Sequence, residues 1–227
     1  LLRINVPVLN RINSLGEISV ATIHTMQHVT KGRPVAGARV VPLMIEDEKL
    51  RQLESFVSEP VIEVLPLRRA KVGVVTTGSE VFYGRIQDAF GPVLRKKFAA
   101  LGSTVVGQTL TSDEVPMTAG AIRDFLEQGA DLVVVTGGMS VDPDDRTPLA
   151  IKNTGAEIIT YGAPVLPGAM FLVSYLDGVP VCGLPGCVMY AKRTIFDLLL
   201  PRLLADDPIT AEDIARLGEG GLCLGCA

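Results

Sequence analysis

Between residues 71 and 204, short apolar runs alternate with stretches of helical spacing, and this alternation restricts the fold more than any other feature. Lys71-Val-Gly-Val-Val-Thr-Thr77, Thr104-Val-Val-Gly107, Asp131-Leu-Val-Val-Val-Thr136 and Glu157-Ile-Ile-Thr160 read as strands. The first and third are continuously apolar, as strands covered on both faces must be. From Ile86 to Leu101, the residues Phe90, Leu94, Phe98 and Leu101 recur at helical steps, and Gly102 ends the pattern. A second helix follows Ser112-Asp113, with Val115, Ala119, Ile122 and Leu126 on one side and Gly129 closing it. Met170–Tyr175 and Val179–Cys182 form a hairpin about Asp177-Gly178. A last helix starts near Gly186 and carries Tyr190, Thr194 and Leu198. The order predicts a three-layer α/β/α domain with a mostly parallel sheet over residues 69–205. Ligands of such sheets sit at the carboxyl ends of the strands.

The remaining segments are smaller. Residues 1–68 hold β-branched stretches at Ile18-Ser-Val-Ala-Thr-Ile-His24 and Arg39-Val-Val-Pro-Leu-Met-Ile45, with turn signals at Lys31-Gly-Arg-Pro34 and Ala36-Gly37. A helix is expected from Glu46 to Val57 and a strand from Val61 to Leu67, which makes a small β-rich module with one helix. His24 and His28 fall in strand-like sequence without further ligands, so they do not suggest a metal site. Residues 206–227 read as a tail. Its Cys223-x-x-Cys226 has the spacing of half a metal or iron–sulfur site, and equally of free thiols. The opening Leu1-Leu-Arg-Ile4 has neither an initiator Met nor a signal-peptide pattern and reads as an internal cut, as does the end of the tail.

Composition excludes several function classes. Hydrophobic residues make up 48% of the 227, enough for a well-buried core. A net charge of −4 argues against nucleic acid as a partner, because such proteins need a cationic surface. It leaves phosphate-bearing small molecules open, since backbone N–H groups hold them without net positive charge. Apolar runs such as Leu132 to Val135 fall far short of the roughly 18 residues of a membrane span. Cys182 and Cys187 lie in apolar surroundings, unlike a secreted disulfide framework, so the expected compartment is cytoplasmic.

Three loops at expected strand ends carry unusual chemistry: Thr76-Thr-Gly-Ser-Glu80, Thr136-Gly-Gly-Met-Ser-Val-Asp-Pro-Asp-Asp-Arg-Thr-Pro148 and Gly183-Leu-Pro-Gly-Cys187. Gly78, Gly137 and Gly138 allow close backbone approach to a ligand. Thr136, Ser140 and Thr147 add hydroxyl donors. Pro185-Gly186 at an expected helix start favours an anion, or is simply helix-start geometry. Together the loops form a phosphate-sized cradle. Asp142, Asp144 and Asp145 beside such a cradle call for a divalent cation, for a donor-rich ligand group such as a pterin amine, or for no more than a solvated turn. Asp113 either caps the second helix or reaches the same cleft. No Ser-His-Asp set, Walker lysine or Gly-x-Gly-x-x-Gly motif occurs.

The ordered set Thr77-Gly-Ser-Glu-Val81, Gly84-Arg-Ile-Gln-Asp88, Ser112-Asp-Glu114, Gly137 to Pro148, Pro167-Gly168 and Gly183-Leu-Pro-Gly186 resembles the molybdopterin-binding domain of molybdenum-cofactor biosynthesis. That domain is shared by molybdopterin adenylyltransferases, molybdate insertases and the two halves of gephyrin. The resemblance implies molybdopterin or its adenylate as ligand, with Thr77, Gly78, Ser79, Glu80, Thr136, Gly137, Gly138, Ser140, Asp142, Thr147, Pro185 and Gly186 around it. It implies Asp113 and Asp145 as the acidic pair linked to AMP transfer, with ATP and Mg2+ as further ligands, and a homo-oligomer, dimer or trimer. Asp145-Arg-Thr-Pro148 is similar to the adenylyltransferase branch, and the Thr-Gly-Ser-Glu and Gly-Leu-Pro-Gly loops to the insertase branch.

Three positions depart from the insertase pattern. Ser79 stands where Asp is expected, Leu166-Pro-Gly-Ala-Met170 lacks both lysines of Lys-Pro-Gly-Lys-Pro, and Pro185-Gly-Cys-Val188 replaces Pro-Gly-Asn-Pro. These losses suit a non-catalytic binding or scaffold module as well as an enzyme. A third reading is a metal-dependent pyrophosphatase acting on ADP-ribose or similar nucleotides. It follows from a resemblance to competence-damage-type proteins, with Glu80, Asp88 and Asp145 around the metal.

Overall fold

In the computed structural model the chain divides into two compact units, Leu1–Leu67 and Arg68–Ala227. Residues 1–140 and 146–222 are described. Asp142, Asp144, Asp145, Cys223 and Cys226 lie outside them.

The first unit contains β1 (Leu2–Ile4), α1 (Val6–Ser14), β2 (Ile18–Thr22), β3 (Ala36–Val40), α2 (Asp47–Phe56) and β4 (Ile62–Val64). β1 pairs antiparallel with β4, and β2 with β3. Its small core is Leu2, Ile4 and Leu9, with Val20, Ile23 and Val61 packed against it. Three expectations need correction. Helix α1 was not foreseen: Asn5 Oδ1 accepts the Val8 N–H at 3.2 Å, Pro7 sits in the first turn, and Leu9 and Ile12 are buried. The second strand is Ala36–Val40, so Ala36-Gly37 is strand and not turn, and residues 41–45 leave it. His24 and His28 lie in irregular chain, not in a strand.

The second unit contains β5 (Lys71–Thr77), α3 (Ser79–Phe82), α4 (Phe90–Ala100), β6 (Thr104–Thr111), α5 (Val115–Glu127), β7 (Leu132–Thr136), α6 (Thr147–Asn153), β8 (Glu157–Tyr161), β9 (Leu172–Leu176), β10 (Val179–Leu184), α7 (Ile195–Leu204) and α8 (Ala211–Arg216). The six strands form one sheet in the order β6-β5-β7-β10-β9-β8. Only β9 runs against the others, as expected for a mostly parallel α/β sheet. Residues alternate faces along a strand. One face (Val75, Val133, Val135, Val181) packs on Ile122 and Phe125 of α5 and on Ile151 of α6. A Cβ on Gly73 would stand 2.4 Å from Phe125 Cγ, which is why this strand carries a glycine. On the opposite face α4 and α7 meet through Phe98 and Phe196, ring centroids 5.7 Å apart, and through the Lys97–Asp197 ion pair.

Two helix boundaries differ from the sequence reading. The first crossover helix starts at Phe90 rather than Ile86, because the Asp88 carboxylate takes the N–H groups of Phe90 and Gly91, each at 2.9 Å. The last helix starts at Ile195, not near Gly186. Thr194 donates its N–H and hydroxyl to Asp197 Oδ2 at 2.8 and 3.1 Å, whereas Gly186–Met189 is a single 3-10 turn. Beyond α7, Arg202 binds Asp207 at 2.6 Å, the Pro208 carbonyl at 3.0 Å and Asp213 at 3.2 Å. These bonds tie α8 to the sheet domain.

Candidate functional site

The chain leaves β5 toward β6 on one side and returns to β7 on the other, so the strand order switches between β5 and β7. Loops diverge at such a point and leave a crevice at the carboxyl ends of the strands. The loops leaving β5, β6 and β7 meet there. An open pocket of about 360 Å³ is lined by Ser79, Tyr83, Ser112, Asp113, Glu114 and Arg146.

Asp113 is the best-fixed group in it. Ser79 donates both its N–H (2.9 Å) and its Oγ (2.7 Å) to Asp113 Oδ2. Thr77 Oγ1 donates to Oδ1 at 3.3 Å. Asp113 is therefore not the cap of α5, as the sequence suggested. Glu114 holds that position, with no side-chain cap bond. Partial burial pushes the Asp113 carboxyl up, but the bonds from Ser79 and Thr77 and the charge of Arg146 outweigh it and hold it below its ordinary 3.8. It is an anionic acceptor that lines the pocket.

Glycines shape the β7 end. Gly137 and Gly138 have φ of +87° and +53°. A Cβ on Gly137 would lie 2.1 Å from the Thr77 carbonyl oxygen, and one on Gly138 would lie 2.8 Å from Thr147 Oγ1. The close approach these glycines permit is to the neighbouring strand end and to the start of α6. Thr147 Oγ1 donates to the Gly137 carbonyl at 2.8 Å, which ties the start of α6 to the end of β7. Thr136 is fully buried, and its hydroxyl donates to Thr76 Oγ1 at 3.1 Å. Thr76 in turn accepts Gln108 Nε2 at 3.0 Å, and Gln108 also reaches Asp88 at 2.7 Å. The hydroxyls of Thr136 and Thr147 thus hold the strand ends in place rather than lining the pocket.

The other expected site residues are distributed as follows. Gly78 donates its N–H to Thr111 at 3.1 Å and opens α3. Glu80 is exposed on α3 but does not line the pocket. Ser140 is exposed beyond β7, and its carbonyl accepts the Tyr161 hydroxyl at 3.3 Å. Pro185 and Gly186 follow β10, on the far side of β7 from β5, and line no part of this pocket. Asp142 and Asp145 lie outside the described residues. Among those described, no group of three His, Cys, Asp or Glu could hold a metal ion. Tyr83 lines the pocket without having been singled out from sequence, and Ser112, Glu114 and Arg146, quoted there within motifs, line it without having been named as site residues. Arg146 had a signal, as the one basic residue between Thr136 and Pro148. Tyr83 had a weaker one, an aromatic just after the first loop.

Residues 73–205 match the family described as "Probable molybdopterin binding domain". The chain belongs to that family. Among curated relatives it resembles a CinA-like protein of Mycobacterium avium, 37% identical over 91 residues, which are 40% of this chain and 21% of that protein. It also resembles the molybdopterin molybdenumtransferase of Staphylococcus aureus, 29% identical over 131 residues, 55% of this chain and 31% of the relative. The chain thus matches only about a fifth to a third of the length of these relatives. The molybdopterin biosynthesis enzyme MoaB of Thermus thermophilus shares the fold of the second unit. Its TM-score is 0.50 at 22% identity, over 62% of this chain and 98% of that one. No helix among the described residues is long and apolar enough to cross a membrane.

Proposed function

We propose that this domain binds molybdopterin, or its adenylate, in the pocket at the carboxyl ends of β5, β6 and β7. The observation that carries the reading is Asp113, held by Ser79 and Thr77 at the switch point of a domain of the molybdopterin-binding family. A pterin offers an exocyclic amine and ring N–H groups, and a fixed carboxylate accepts them. Arg146 and the backbone N–H groups of the Gly137–Gly138 loop suit the phosphate at the other end of the ligand. Asp142 and Asp145 join the same loop and are proposed as further polar contacts.

Catalysis is a finer claim. A divalent cation, when bound, supplies charge neutralisation for phosphoryl transfer. The described residues do not make a site for one: no group of three His, Cys, Asp or Glu among them could hold a metal ion, and Glu80 does not line the pocket. The reading is therefore binding in the cytosol by an oligomer of this chain, with AMP transfer or molybdate insertion as additional activities to be tested. Ser79, Leu166 and Ala169, where the insertase pattern has charged residues, support binding without insertion.

The test is a titration of the chain with molybdopterin and separately with its adenylate. Binding at micromolar concentration or tighter is expected, and none in that range refutes the reading. A second reading, which follows from the resemblance to competence-damage-type proteins, is a metal-dependent nucleotide pyrophosphatase. It needs Asp88 on the metal, but three N–H donors already occupy that carboxylate. Release of AMP from ADP-ribose with a divalent metal would establish it over the binding reading.

A further inference from the structure

We propose that Tyr83 is the ring platform of this pocket, stacking on the planar heteroaromatic ring of the ligand while Asp113 accepts the N–H groups at that ring's edge. The inference rests on the binding reading above and adds the residue that selects a flat ring. Tyr83 is 65% exposed and lines the pocket together with Asp113 and Arg146. Phe82, its neighbour, is 36% exposed, and the other residues that line the pocket are polar or charged, so Tyr83 is its one aromatic face. An exposed aromatic face among convergent polar groups is the lining expected of a small-molecule site.

The ring is also held. Phe82 meets it edge-on, with centroids 5.1 Å apart and planes at 75°. The Arg85 guanidinium lies 5.9 Å from its centroid. Backbone bonds fix the short helix beneath: Phe82 N–H to Gly78 O at 2.9 Å, Tyr83 N–H to Ser79 O at 3.0 Å, and Arg85 N–H to Glu80 O at 2.8 Å. Ser79 is the shared point. Its carbonyl anchors Tyr83, while its N–H and Oγ anchor Asp113. A ring and a carboxylate referenced to one residue form a preorganised pair that reads a flat face and a donor edge together. A pterin or purine ring has both, and inorganic phosphate has neither.

The intact chain is titrated with a fluorescent pterin phosphate, following quenching on binding, and with inorganic phosphate as competitor. Tyr83→Ala is expected to weaken pterin binding about 5- to 150-fold, the range for losing one ring stack. Tyr83→Phe restores wild-type affinity and Tyr83→Leu does not. The competing phosphate keeps the same affinity in every variant. Thermal melting of Tyr83→Ala should match wild type, because the side chain is exposed. If wild type binds and Tyr83→Ala binds equally, or if Tyr83→Leu equals Tyr83→Phe, the platform is refuted and the binding reading stands. If wild type does not bind the pterin phosphate, the binding reading fails and takes the platform with it.

Discussion

Replacing Gly137 by alanine tests whether the glycine at the end of β7 answers to packing. Its φ of +87° is left-handed, and a side chain there costs about 1–2 kcal/mol by itself. The added Cβ would stand 2.1 Å from the Thr77 carbonyl oxygen, more than 1 Å inside ordinary contact. Thr77 cannot easily retreat, because it is buried and paired with Thr111 in β6. Overpacking of this kind adds about 1–3 kcal/mol. The control is Gly102→Ala, at a similar φ of +78° but with nothing within 4 Å of the new Cβ. Urea titrations of the two variants should therefore differ by about 1–3 kcal/mol, Gly137→Ala being the less stable. Equal stabilities would show that the β5–β7 approach does not demand the glycine.

Other outcomes follow from the same geometry. Arg202→Ala leaves Asp207 with little solvent, both side chains being 10% exposed, and should cost about 3–5 kcal/mol with early proteolysis between residues 205 and 216; wild-type stability and protection would contradict the anchoring role. Asp113 has its folded pKa depressed, so it contributes stability above its unfolded value of about 3.8 that is lost as pH falls through the lower folded value. Wild type should exceed Asp113→Asn in stability at neutral pH, with the gap closing at pH values below about 3.8; a gap that widens in acid refutes the assigned bonds. Burial pushes the Cys182 thiol up to about 12, so peptide mapping should find it unmodified by an alkylating reagent at pH 8 in the native chain and modified in urea; native labelling would put Cys182 outside the core.

The sheet was legible because the strands covered on both faces carry unbroken apolar runs, and the hairpin because Asp177-Gly178 both adopt positive φ, at +50° and +81°. The site was legible as three loops but not as contacts. Asp113 sits where a cap belongs, and its partner Ser79 lies 34 residues away, beyond the reach of any local pattern. Gly186 looked like a helix start because Pro-Gly precedes apolar residues, while the better signal, Thr194 with Asp197 three positions on, stood later in the chain. Thr136 and Thr147 read as ligand donors from their place in the loop after the third strand. Only the fold shows that their hydroxyls bond to Thr76 and to Gly137.

A crystal of this chain soaked with molybdopterin tests the central claim most directly. The account predicts the pterin edge within hydrogen-bond distance of Asp113 and the phosphate beside Arg146 and the Gly137–Gly138 loop. Molybdopterin bound instead at the opposite end of the sheet, in the pocket of about 160 Å³ lined by Tyr175, Pro180 and Leu203, would contradict it.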